Sequence, residues 1–142
     1  MLHRSAKVRP GQRALIHGAA GGVGSALLQL GGLAALEMCG TCSSRGASAV
    51  CDLGAIPIDY QHLDFVKEIR RLTSNGVDVV FDGIGGTHMW RSRKALRPGG
   101  RVVGLWPYFL GSTDCTDLPV NRSITARPFN ALIFSSIPHR CE

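Results

Sequence analysis

A parallel β-sheet covered by helices on both faces, an α/β fold, is what this sequence predicts. Short apolar runs recur as strands, segments with helical spacing separate them, and a glycine-rich turn joins the first strand to the first helix.

The elements follow in order. Residues 13–17 form a short strand of buried type, opened by Pro10 and Gly11 and closed by Gly18. Val23, Ala26, Leu27, Leu30 and Ala34 repeat on one helical face, which predicts a helix over 23–36. Gly31 and Gly32 inside it each cost about 1 kcal/mol relative to Ala. A second strand over 37–42 precedes a loop at 43–46 and a short helix over 47–53, stopped at Gly54. A third strand spans 56–59. Asp64 then caps a helix whose buried face is Phe65, Val66, Ile69 and Leu72 and which ends at Asn75 and Gly76. Residues 77–81 have the continuous apolar run of a central parallel strand, followed by a flexible turn at 83–86. A helix over 87–96 and a turn at Pro98, Gly99 and Gly100 lead into a fifth strand, 101–105.

The first turn carries the chemistry. A diphosphate needs backbone amides with no side chain in the way and the positive end of a helix dipole behind them. Ala19, Gly21 and Gly24 give Ala-x-Gly-x-x-Gly directly after a strand and before a helix, with Gly18 and Gly22 inside the same cluster. This predicts a Rossmann-type doubly wound parallel sheet, incomplete at its C-terminal edge. Residues 1–105 form the nucleotide-binding domain. Residues 106–142 form a divergent tail, irregular apart from one strand at 131–134.

Coenzyme choice is read at the end of the second strand, where an acid about 20 residues beyond the turn would bind the ribose of NAD. Thr41, Ser43, Ser44 and Arg45 stand there instead, with hydroxyl donors and a guanidinium suited to an extra phosphate, so NADP(H) is the expected cofactor. The plainer alternative is a polar loop that happens to hold one arginine. His17 is expected to pack or to bond to backbone, and Asp82 to form a turn.

Composition narrows the function classes. The 142 residues are 44% hydrophobic and 18% charged, globular proportions, with a net charge of +6. The basic residues are scattered with few aromatics between them, which argues against nucleic acid. Neither a bilayer-spanning apolar run nor a secretory leader is legible, so a cytoplasmic chain without membrane association is expected. Cys39 and Cys42 have zinc-knuckle spacing, but no second ligand pair completes a site, and no metal is expected.

Gly18, Gly22 and Gly24 also match the spacing of short-chain dehydrogenases, yet the Tyr and Lys four apart that those enzymes need are missing. Tyr60 is followed by Asp64, and Tyr108 by Ser112. Another family fits residues 1–105 densely. Arg9-Pro10-Gly11-Gln12, the His17 to Gly24 turn, Gln29-Leu30, Gly40-Thr41 with Ser43-Ser44, Leu53-Gly54-Ala55, Ile58-Asp59-Tyr60, the Val77 to Gly86 block and the Leu96 to Gly100 block carry the likeness. With these motifs the chain resembles the zinc-independent quinone oxidoreductase branch of the medium-chain dehydrogenase/reductases.

The resemblance implies NADPH-dependent hydride transfer to quinones or other conjugated carbonyls, without metal. It places Gly22, Val23 and Gly24 on the diphosphate, Ser43, Ser44 and Tyr60 near the adenosine phosphate, and Gly83 with Val103, Gly104 and Leu105 towards the nicotinamide. The family's usual Lys after the serine pair aligns with Gly46, so Arg45 has to substitute from the preceding position. The family also sets a barrel-like catalytic domain before this unit, with substrate in the cleft between them. The expectation is therefore an oxidoreductase that acts on a quinone or enone once that domain is supplied, compatible with a homo-oligomer, with no catalytic residue assigned here. The alternative is a nucleotide-binding remnant without turnover.

Overall fold

The computed structural model describes residues 7–105. Five strands and four helices alternate: β1 (Arg13–Ile16), α1 (Gly22–Leu33), β2 (Glu37–Cys42), α2 (Ala47–Asp52), β3 (Ala55–Asp59), α3 (Phe65–Thr73), β4 (Val77–Asp82), α4 (Thr87–Ala95) and β5 (Leu96–Gly104). A single 3-10 turn, Ser44–Gly46, fills the loop before α2. All strands pair in parallel, in the order β3-β2-β1-β4-β5.

Alternation along the strands builds a core on each face. Ala14 and Ile16 of β1, Val79 and Phe81 of β4 and Val103 of β5 turn to one side, where Leu27 and Leu28 of α1 and Val50 of α2 cover them. Leu15, Val80 and Val102 turn to the other, against Phe65 and Ile69 of α3 and Ala95 of α4. This is the predicted doubly wound sheet. The strand expected over 131–134 and the completion of the sheet's C-terminal edge lie outside the described residues. Among the described residues no helix is long and apolar enough to cross a membrane.

Two boundaries differ from expectation by more than two residues. Helix α1 stops at Leu33, because the Ala34 amide bonds back to Leu30 O, the Leu36 amide bonds to Gly31 O at 3.0 Å, and Ala35 takes φ +53°. This reversal feeds Leu36 into the core and starts β2 at once. Within α1, Gly31 has a packing reason: a Cβ there would lie 2.4 Å from the Met38 sulfur of β2. The turn expected at Pro98, Gly99 and Gly100 is an excursion inside β5. Leu96 already pairs with Val77, and Arg101 pairs with Val79, so four residues of β5 bulge opposite Asp78 alone.

Asp64 caps α3 as expected, accepting from the amides of Val66 at 2.9 Å and Lys67 at 3.3 Å. Its other carboxylate oxygen takes Arg91 of α4 at 2.9 Å, tying the two helices on that face together.

Candidate coenzyme-binding site

Strands β1 and β4 are neighbours, and the chain leaves them in opposite directions, to β2 on one side and β5 on the other. That reversal opens a crevice at the C-terminal ends of the two strands, the usual ligand position in open α/β sheets. The glycine turn after β1 forms one lip and Gly83 to Gly86 after β4 forms the other.

The turn is built by close approach. Gly18 takes φ +63°, and its carbonyl accepts from the Gly21 amide at 2.9 Å. Gly21 is the N-cap of α1 and offers no side chain, and the first turn of the helix holds no acid. The amides of Gly22, Val23 and Gly24 therefore begin a helix with no side-chain cap, next to the positive end of its dipole. Gly22 and Val23 are exposed, and a Cβ on Gly22 would meet nothing within 4 Å, so the space above these amides is open. The residues present thus fit a diphosphate.

Alanine replaces the first glycine of the motif, and the structure shows what accommodates it. Ala19 is fully buried, with its amide on Thr41 O at 2.9 Å, and a Cβ at Gly40 would come within 2.5 Å of the Ala19 Cβ. A Cβ at Gly46 would likewise come within 2.5 Å of the Ala20 Cβ. This explains why glycine occupies the position where the resemblance leads one to expect lysine.

At the rim expected to meet the adenosine phosphate, parallel register sets Cys42 opposite Asp59, and the Tyr60 amide bonds to Cys42 O at 3.2 Å. Ser43, Ser44, Arg45 and Tyr60 are thereby brought to one rim, with Ser44, Arg45 and Tyr60 exposed. Arg45 has no ion-pair partner among the described residues. Sequence reasoning missed one group at this rim, Asp59, which enters from β3. The Ser44 hydroxyl donates to it at 2.6 Å, and this bond, with those from His62 and the Gln61 amide, pulls its pKa down to about 2. The signal that could have found it is the common end point of two adjacent parallel strands.

At the end expected to meet the nicotinamide, Leu105 donates its amide to Asp82 O at 2.8 Å, and a Cβ on Gly83 would lie 3.9 Å from the Leu105 side chain. Gly83, Gly104 and Leu105 therefore sit together at the crevice. Val103 lies one step below, its side chain in the core, so that only its backbone faces this end.

Beneath the crevice runs a buried polar network. His17 Nδ1 is 3.0 Å from Thr41 Oγ1, His17 Nε2 is 3.0 Å from Ser92 Oγ, and the Ser92 hydroxyl donates to Asp82 Oδ2 at 2.8 Å. The Gly18 amide donates to Thr41 Oγ1 at 3.2 Å, so the network grips the glycine turn. Burial holds the His17 pKa down at about 4, against the opposing pull of Asp82, and the ring is neutral. With Nε2 carrying the proton, every bond is satisfied: Thr41 donates to Nδ1, and Nε2–H donates to Ser92. His17 is packed as expected, buried and edge-on to Phe65, while its ring nitrogens bond to side chains rather than to backbone. Asp82 behaves as the expected turn former, its Oδ1 accepting from the Ile84 and Gly85 amides at 2.9 Å each. Burial pushes its carboxyl up, but hydrogen bonds from Gly85, Ser92 and Ile84 and the nearby His17 outweigh this and leave it below the ordinary carboxylate value.

His17, Asp82 and His88 also form a cluster whose ligand atoms lie within 4.8 Å of one another. Zinc needs donors about 2 Å from the ion with lone pairs free to reach it. Here both His17 nitrogens and both Asp82 oxygens already have hydrogen-bond partners, and the cluster does not fit a metal cage. Cys39 and Cys42 are free, buried residues of β2, and burial raises the Cys39 thiol to about 11.

The geometry defines a doubly wound α/β domain of the Rossmann type. Residues 22–126 match the family described as zinc-binding dehydrogenase. The chain is 36% identical over 128 residues to the synaptic vesicle membrane protein VAT-1 of Tetronarce californica, covering 89% of this chain and 32% of that protein. It is 38% identical over 103 residues to the 2-haloacrylate reductase of a Burkholderia species, covering 70% and 31%. The Escherichia coli quinone oxidoreductase complexed with NADPH superposes with a TM-score of 0.68 at 29% identity, covering 72% of this chain and 32% of that one. The chain belongs to the zinc-binding dehydrogenase family of medium-chain dehydrogenase/reductases, in its quinone oxidoreductase-like branch. It spans about a third of the length of these relatives. It is an oxidoreductase-family domain, and its parallel five-stranded sheet matches theirs.

Proposed function

We propose that this chain is the coenzyme-binding domain of an NADPH-dependent oxidoreductase that transfers hydride to quinones or other conjugated carbonyls. The observation that carries the proposal is the uncapped N-terminus of α1, with open space above Gly22 at the β1/β4 crevice. The amides of Gly22, Val23 and Gly24 would hold the diphosphate, and Ser43, Ser44, Arg45 and Tyr60 the adenosine phosphate. Gly83, Gly104, Leu105 and the Val103 backbone would border the nicotinamide. NADPH, when bound, supplies the hydride.

A conjugated acceptor suits transfer without metal, because the negative charge that develops is delocalised onto the carbonyl oxygen. The 2-haloacrylate reductase and the NADPH-complexed quinone oxidoreductase among the relatives support both acceptor class and coenzyme. The scattered surface cations support a small-molecule partner over nucleic acid or a membrane surface. The proposed compartment is the cytoplasm, where reduced NADP is maintained for reductive chemistry.

A second reading, coenzyme binding without turnover, is favoured by one fact: the chain spans about a third of the length of its relatives, and each site residue named above is assigned to the coenzyme. Hydride transfer needs a shielded cleft. Titrating NADPH and NADH against the protein by nicotinamide fluorescence, then following NADPH oxidation with a simple quinone, separates the two. Tight NADPH binding with oxidation supports the enzyme, and binding without oxidation supports the second reading. Absence of binding rejects both.

A further inference from the structure

Three donors converge on Asp59. Its Oδ2 accepts from the Ser44 hydroxyl at 2.6 Å and from His62 Nδ1 at 2.9 Å, and its Oδ1 accepts from the Gln61 amide at 2.9 Å. The turn that follows β3 is wound around the same residue, since the amides of His62 and Leu63 both bond to Asp59 O, at 3.3 and 2.9 Å. His62 is thus held against the carboxylate by its own backbone, with its side chain 73% exposed at the rim that carries Ser44 and Tyr60.

An acid at this rim can act in two opposite ways. A carboxylate with unused lone pairs beside Ser44 would accept from the ribose hydroxyls of NAD(H) and repel a phosphate dianion. With three of its roughly four acceptor positions taken from within the protein, Asp59 has less capacity left to accept from a ribose, and it anchors Ser44. The Gln61 amide and Ser44 each take one position on Asp59, and His62 takes a further one on the oxygen that Ser44 uses.

Building on the NADPH reading above, we infer that His62 is a specificity-determining residue: it occupies Asp59, and so keeps an acid at the adenosine rim from selecting NADH over NADPH. The coenzyme preference is then set by two elements, the cationic Arg45 on one side of Ser44 and the masked Asp59 on the other. His62 itself need not touch the coenzyme.

The test is a set of NADPH and NADH affinities, read by nicotinamide fluorescence on the full chain, for the wild type, His62→Ala, His62→Gln, Asp59→Asn and the His62→Ala/Asp59→Asn double variant. The wild type should prefer NADPH. His62→Ala should lower the NADPH/NADH affinity ratio about fivefold, the size of one net hydrogen bond. The double variant should restore the ratio, because the unmasked charge is gone. His62→Gln retains a side-chain donor and should keep the ratio within about twofold of the wild type. A merely structural role for His62 would weaken both coenzymes equally and leave the ratio unchanged, and that result overturns the inference, as does a wild type that prefers NADH. A wild type that binds neither coenzyme overturns the NADPH reading itself, and the inference with it.

Discussion

Gly24 and Gly18 are locked together across the glycine turn: a Cβ on Gly24 would stand 2.2 Å from the Gly18 carbonyl oxygen and 2.6 Å from the Ala19 Cα. Both neighbours are backbone and cannot swing aside. Gly22, two residues earlier, would meet nothing. The two glycines therefore do different work, Gly24 closing helix onto turn and Gly22 leaving room for a ligand.

Gly24→Ala should destabilise the domain by about 2 kcal/mol, the cost of forcing a methyl into closed packing. For a domain of this size that lowers Tm by about 10 °C. Gly22→Val should leave Tm within about 3 °C of the wild type, since surface substitutions in open space have small effects, while abolishing NADPH binding. Thermal melts of the two variants beside the wild type check both, and equal Tm losses would contradict the division of roles.

Acid should unfold the domain in two stages. His17 has its folded pKa lowered from 6.5 to about 4, so below pH 6.5 the unfolded chain binds a proton that the folded one refuses. Stability present above pH 6.5 is then lost as pH falls towards 4, by up to about 3 kcal/mol. Asp59, lowered from 3.8 to about 2, adds a further loss below pH 3.8. Urea denaturation at pH 7, 5.5 and 4.5 reads the first stage, and a flat midpoint across that range would show that His17 is not buried neutral.

Ser92 links two buried groups, His17 and Asp82. Ser92→Ala strips His17 Nε2–H of its acceptor and Asp82 Oδ2 of its hydroxyl donor. Leaving buried polar groups unpaired should cost about 2 kcal/mol. Chemical denaturation of the variant should show a lower midpoint with an unchanged slope. An unaltered midpoint would mean that the network contributes nothing to the turn it underlies.

Arg45 is exposed and without an ion-pair partner among the described residues, free to meet a phosphate. Arg45→Ala should weaken NADPH about tenfold, as expected for one charge-assisted contact, and leave NADH unchanged. Isothermal titration with both coenzymes distinguishes this from a general loss of the site, in which both would weaken.

Most of the fold can be read directly from the chain because its determinants are local. The apolar runs of β1 and β4, the helical stripe of α1, the Asp64 cap and the Ala19 to Gly24 turn all lie within short windows. What escapes such reading depends on register or distant packing. The true start of β5 at Leu96 follows from its pairing with Val77, across a bulge that proline and glycine disguise as a turn. Asp59 reaches the rim of Ser44 and Tyr60 only because β3 lies beside β2. The glycines at positions 40 and 46 make sense once Ala19 and Ala20 are seen to fill the space in front of them. Thr41 and Ser92, far apart in the chain, gain their role only when β2 and α4 meet around His17.

The amides at the start of α1 can be observed individually. In a heteronuclear NMR titration with NADPH, the backbone resonances of Gly22, Val23 and Gly24 should shift together and more than those elsewhere, with Ser44 and Arg45 following when NADPH replaces NADH. Shifts absent from these three amides, or centred on another part of the sheet, would contradict the binding of a coenzyme diphosphate at this turn.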